Sequence, residues 1–109
     1  MATITGFYKD NEGTLIDKDP EAALDYLISW SEWLPGGDTI STSSWSVEAI
    51  SGDGDPLTST SDANTDTTTT VNLSGGTTGN IYKVYNTVTT NGGLTDRRYF
   101  RVKVKARTI

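Results

Sequence analysis

At 109 residues the chain is the size of one small domain, and it contains neither Cys nor His. It therefore lacks the commonest general base, a thiol nucleophile, the usual zinc ligands and any disulfide framework. A formal charge of -5 with a pI near 4.4 argues against generic nucleic-acid binding, because phosphates require positive potential where they lie.

The charge is unevenly spread: Asp10, Glu12, Asp17, Asp19, Glu21 and Asp25 crowd the N-terminal quarter, and Arg97, Arg98, Arg101, Lys103, Lys105 and Arg107 crowd the last segment. No apolar run approaches the roughly 20 residues of a membrane span. The start MATITGFYKD lacks a basic stretch followed by an apolar one, so a soluble protein with neither an export signal nor a membrane partner is expected.

Residues 1–13 read as an N-terminal arm, flexible or ordered on a partner. MATIT can form a short edge strand and KDNEG is turn chemistry. Residues 14–109 read as one β-sandwich domain. Leu15 and Ile16 are its first anchors. A helical turn is expected at Pro20–Ala23, because Pro suits the first helical position. From Leu24 a period of two puts Leu24, Tyr26, Ile28 and Trp30 on one face. A helix over Ala22–Leu34 is the rival reading, disfavoured by the Tyr, Ile and Trp content and the Pro-Gly-Gly break. After the LPGGD turn, Trp45, Val47 and Ala49 share the face of a second strand. Ser51–Thr69 reads as a polar loop with a short edge strand at Leu57–Thr60, and Thr69–Leu73 as a further strand. IYKVYNTVTT and TDRRYFRVKVKA, joined at NGGL, form the clearest element, a long antiparallel hairpin. Its core faces are Tyr82, Val84, Asn86 and Val88 on one arm and Phe100, Val102, Val104 and Ala106 on the other.

About seven short strands with Gly-rich turns predict an all-β, immunoglobulin-like antiparallel β-sandwich, with a jelly roll or open barrel as the alternative. Leu73, the glycine turn and Tyr82 have the spacing of a tyrosine corner, in which a Tyr hydroxyl bonds back to the preceding loop.

Each candidate for chemistry has a plain structural reading beside it. Asp53, Asp55, Asp62 and Asp66 are the carboxylates open to hydrolytic work, but they lie in a polar loop without an apolar wall to raise a pKa. Asp62, Asn64 and Asp66 begin an EF-hand pattern, which fails where Thr67 replaces the glycine and Leu73 the bidentate Glu. No metal and no cofactor are expected, and no catalytic residue is assigned. Trp30 and Trp45 fall on core faces; Trp33, beside LPGG, either caps the sandwich end or joins a contact surface. Arg97, Tyr99, Arg101, Lys103 and Lys105 share the outward face of the last strand. They are either a solvated face that blocks edge pairing or, with Trp33, a surface for an acidic partner, which the acidic quarter of another copy can supply.

The pattern Asp19-Pro20, Leu24–Tyr26, Trp30–Leu34, Gly37–Ile40, Ser43–Trp45, Gly75–Tyr82 and Thr90–Arg98 resembles small proteins encoded among the structural genes of tailed bacteriophages, with one spacing departure at Asn91-Gly92-Gly93. The resemblance implies a non-enzymatic virion protein of immunoglobulin-like fold: a capsid decoration or cement protein, a head fibre, or a neck or tail accessory. It implies synthesis in the host cytoplasm, other virion proteins of the capsid or tail shell as partners, and a homo-oligomer or multi-copy assembly. A carbohydrate- or cell-surface-binding module is the alternative, for which Trp33 and the Tyr residues would have to form an exposed flat platform.

Overall fold

The computed structural model describes residues 7–49 and 51–106. Among them there is no helix, and eight strands form two sheets. The strands are β1 (Tyr8–Asp10), β2 (Gly13–Lys18), β3 (Ala23–Ser29), β4 (Ile40–Glu48), β5 (Thr58–Asn64), β6 (Thr68–Ser74), β7 (Ile81–Thr90) and β8 (Thr95–Val104). One sheet runs β1-β2-β8-β7-β4 and the other β3-β6-β5.

The β7–β8 hairpin is continuous in register from Ile81↔Lys103 to Thr89↔Thr95. Its tip needs a residue in the left-handed region, and Gly93 adopts φ +90° there at little steric cost. Tyr82, Val84, Asn86 and Val88 are all fully buried, as their alternation predicts, and so are Val102 and Val104, with Phe100 at 4% exposure. Ala106 is a correction: it lies past the end of β8 and is exposed, because the alternation outlasts the sheet that would cover it.

Tyr26, Leu57, Val71, Leu73, Tyr82, Val84, Phe100, Val102, Val104 and Ile16 make the main core, with Leu24, Ile28, Trp45 and Val47 half-buried against it. A smaller cluster of Trp30, Ile40 and Val88 fills one end. The period-two reading of β3 holds against the helical one. The expected helical turn is instead a tight turn, closed by the Ala22 N–H donating to the Asp19 carbonyl at 3.0 Å. The edge strand expected at Leu57–Thr60 is β5, and it runs on to Asn64 with all seven residues exposed. Leu57 precedes it and plugs the core at 2% exposure.

One pairing departs from the antiparallel expectation. β2 lies parallel to β8, from Leu15↔Arg101 to Lys18↔Val104. Leu15 and Ile16 are buried as anticipated. β1 folds back on β2 as an edge hairpin, so part of the segment read as an arm is paired. The strand suggested within MATIT lies outside the described residues.

Candidate functional site

The β7–β8 register sets the outward face of the larger sheet. It places Lys83 opposite Arg101, Tyr85 opposite Tyr99 and Thr87 opposite Arg97, so cations and rings alternate across two strands. The Arg97 guanidinium lies 4.5 Å from the Tyr85 ring centre, the two tyrosine rings stand 5.3 Å apart at 44°, and the Lys83 ammonium lies 5.4 Å from the Tyr99 ring. The result is a ladder of cation, ring, ring and cation, held by attraction of positive charge to the ring faces. Tyr99 is 45% exposed. Among the described residues neither Arg97 nor Lys83 has a carboxylate partner.

Arg101 departs from the expected outward, solvated row. It is 3% exposed and donates to Asp10 Oδ1, to Glu12 Oε2 at 3.2 Å and to the Gly13 carbonyl at 3.2 Å. The β1–β2 hairpin lies over it, so its charge is spent within the chain. In turn, hydrogen bonds from Arg101 first, and then from the Glu12 N–H, hold the Asp10 carboxyl below its ordinary pKa. Lys105 reaches Asp17 at 3.7 Å, and Asp17 accepts the Tyr8 hydroxyl at 2.8 Å, which pushes that phenol's pKa up. The acidic first quarter and the basic last strand thus pair within one chain. Lys103 is half-buried.

At one end of the sandwich Trp30 is fully buried, and its Nε1 donates to Asn86 Oδ1 at 3.0 Å and to Thr69 Oγ1 at 3.3 Å. Trp33 is half-buried and packs edge-on to it at 5.3 Å. Trp45 meets Phe100 within the sandwich at 6.4 Å. The three indoles therefore share no flat exposed platform. The Arg98 guanidinium lies 4.4 Å above the Trp30 ring, with Ser29, Ser31, Glu32 and Trp33 around a shallow cleft beside it.

Of the loop acids, Asp53 has a structural use. It accepts hydrogen bonds from the hydroxyls of Thr77 and Tyr82, from Asn80 and from the Asp55 N–H. The Thr77 hydroxyl foremost, then that of Tyr82, lowers its pKa to about 2. The Tyr82 hydroxyl also accepts the Thr77 N–H at 2.8 Å, the bond to the preceding loop that its spacing anticipated. Asp62 lies on exposed β5 and Asp66 in the turn after it. No cluster of three or more acidic side chains among the described residues can hold a metal.

Lys83 and Tyr85 on this surface, and Arg98 on the other face of β8, are absent from the sequence-derived set. The signal for the first two lay in the hairpin itself: a turn centred on Gly92 pairs residues whose numbers are equidistant from it, which puts Tyr85 beside Tyr99. Arg98 had no such signal, because its ring partner, Trp30, lies far off in sequence, just past the end of β3.

No match to the chain is found among curated proteins. The profile of one protein family, described as Podophage GP4 fiber-tail adaptor protein gp77, matches residues 18–103. That span runs from the last residue of β2 almost to the end of β8 and so takes in both sheets. The chain belongs to this family of podophage fiber-tail adaptor proteins and is a tailed-phage virion accessory protein.

Proposed function

We propose that the chain is a non-enzymatic adaptor at the fibre–tail junction of a podophage, docking through the outward face of β7 and β8 on an acidic surface of a neighbouring virion protein. The observation that carries the docking surface is the ladder Arg97, Tyr85, Tyr99 and Lys83, whose cations close no ion pair among the described residues, with Glu48 standing opposite Lys83 in the neighbouring strand and touching the Tyr85 hydroxyl at the ladder's rim. Exposed aromatic and Arg side chains are the groups that contribute most per residue at protein interfaces. Lys103 continues the same face beyond the ladder, where Arg101 and Lys105 are already paired with acids of the first two strands, and Trp33 lies with Arg98 at the cleft at the sandwich end. Family membership favours the tail over the capsid shell as its place.

The fold that carries this surface is, in our reading, immunoglobulin-like. Lettering β3 to β8 as B to G puts C, F and G in one sheet and B, E and D in the other, the arrangement of that sandwich, and Tyr82 near the start of F makes its corner bond.

The test is complementation of a phage lacking this gene with the chain carrying Arg97→Glu and Lys83→Glu, followed by mass-spectrometric counting of the protein and fibres on purified particles. A variant with unchanged circular dichroism that is missing from particles supports the reading. Wild-type incorporation and fibre number would overturn it.

A further inference from the structure

The two halves of β8 are covered differently. Along Arg101–Val104 it is flanked by β2, whose register begins at Leu15↔Arg101. Along Thr95–Tyr99 it is paired on the β7 side, and no described strand lies on the other. The Lys105 N–H donates to the Lys18 carbonyl. By alternation the backbone groups of Tyr99 and Arg97 therefore turn to the same side as those of Lys105, toward the open edge. The Arg97 N–H is capped by Asp96 Oδ1 at 2.8 Å, which leaves the Arg97 carbonyl and the Tyr99 N–H to offer.

The covered half shows what β8 is matched with. There the β1–β2 hairpin supplies carboxylates to its cations: Asp10 and Glu12 to Arg101, and Asp17 to Lys105 just past the strand's end. The open half carries two more arginines, one on each face of the strand, and both are spread on rings: Arg97 over Tyr85 and Arg98 over Trp30. Neither closes an ion pair among the described residues, Glu32 sharing the cleft beside Arg98 without pairing with it. Stacking fixes the guanidinium plane while leaving its edge N–H groups free, the geometry that takes a carboxylate bidentately. Beside this edge runs a groove of about 220 Å³ whose apolar lining comes from Phe7, Leu27, Ile28 and Phe100. Residues 1–6 and 107–109 contain no Asp or Glu side chain.

From this we infer that the open edge of β8 receives an extended acidic segment of another virion protein. Its carboxylates lie on Arg97 and Arg98, its backbone meets the Tyr99 N–H and the Arg97 carbonyl, and its apolar side chains enter the groove. This is strand addition, in which the backbone gives affinity and alternate side chains give selectivity. It deepens the adaptor reading and rests on it for the source of the segment, though not for the chemistry.

The probe is a short capped peptide alternating Glu and Val, titrated into the isotope-labelled full chain at low and moderate salt. Controls are the same peptide with Lys for Glu, and the Glu peptide with alternate backbone nitrogens methylated. The Glu peptide should shift the amide signals of residues 95–100, bind at least about tenfold more tightly than the Lys peptide, and weaken with salt. Backbone methylation should weaken it by about tenfold as well. Arg98→Gln, at an exposed position, should lower affinity about tenfold, with Lys9→Gln as a control without effect. Equal binding of the Lys peptide, indifference to methylation, or shifts confined to other residues would each overturn the inference. So would self-association of the chain alone that Arg98→Gln abolishes, since the occupant would then be a second copy. Failure here leaves the particle-incorporation test standing, and the reverse result would remove only the adaptor role.

Discussion

The hydroxyl of Tyr82 stands between a donor and an acceptor: it takes the Thr77 N–H at 2.8 Å and gives its own proton to Asp53 Oδ2 at 2.5 Å. Through this one side chain the loop before β5, the turn before β7 and the core are joined, since the Tyr82 ring is fully buried. The contact explains how an acid-rich loop with few apolar residues keeps a defined path.

Tyr82→Phe removes both bonds and leaves the Thr77 N–H and an Asp53 oxygen without that partner. Stability should fall by about 1–3 kcal/mol, read as a lower urea midpoint with unchanged slope. An unchanged midpoint would mean that water replaces the hydroxyl without loss.

The same carboxylate sets an acid limb. Asp53 titrates at about 2 in the folded chain against 3.8 ordinarily. Its stabilisation is therefore fully present above the higher value and is lost as pH falls through the lower one. Urea midpoints measured between these two pH values should decline, and Asp53→Asn should flatten that part of the profile while lowering stability at neutral pH.

Arg101 and Arg97 are separated by burial. Arg101→Glu puts a carboxylate at a site 3% exposed and facing Asp10 and Glu12, so it should destabilise by about 3 kcal/mol or more. Arg97→Glu, exposed at the ladder's end, should change stability by less than about 1 kcal/mol. Thermal melts of the two variants side by side test the assignment.

Asn86 is buried and fully used. Its Oδ1 accepts from Trp30 Nε1 and Thr69 Oγ1, and its Nδ2 donates to Ser43 Oγ and to the Ser44 carbonyl. Asn86→Ala should cost about 2–4 kcal/mol, because several buried polar groups lose their partner at once. The loss should also appear as a shift in Trp30 fluorescence.

Gly76 adopts φ +103°, and a Cβ there would stand 2.7 Å from Val104 Cγ2. Gly76→Ala meets both backbone strain and overpacking and should destabilise by about 2 kcal/mol or more. Gly36→Ala, where a Cβ meets nothing within 4 Å, should be near neutral. Comparing their melting temperatures checks the fit of the glycine turn on β8.

The strands, their faces and the hairpin were legible in the chain because side chains on a strand alternate with a period of two, and a run such as Tyr82, Val84, Asn86 and Val88 can be buried together in only one way. Tyr82's bond to the turn before it was legible for a related reason, since both partners lie within a few residues. What alternation cannot carry is which strand lies alongside. Arg97 and Arg101 occupy equivalent positions on one face of β8, yet one is exposed and the other buried under acids, because β1 and β2 cover only half of that strand. The parallel pairing of β2, the burial of Lys18 on the carbonyls of Asp19 and Gly75, and the use of Asp53 as a clamp all depend on residues far apart in sequence. Face is a local property of the backbone, whereas cover is decided by the assembled sheets.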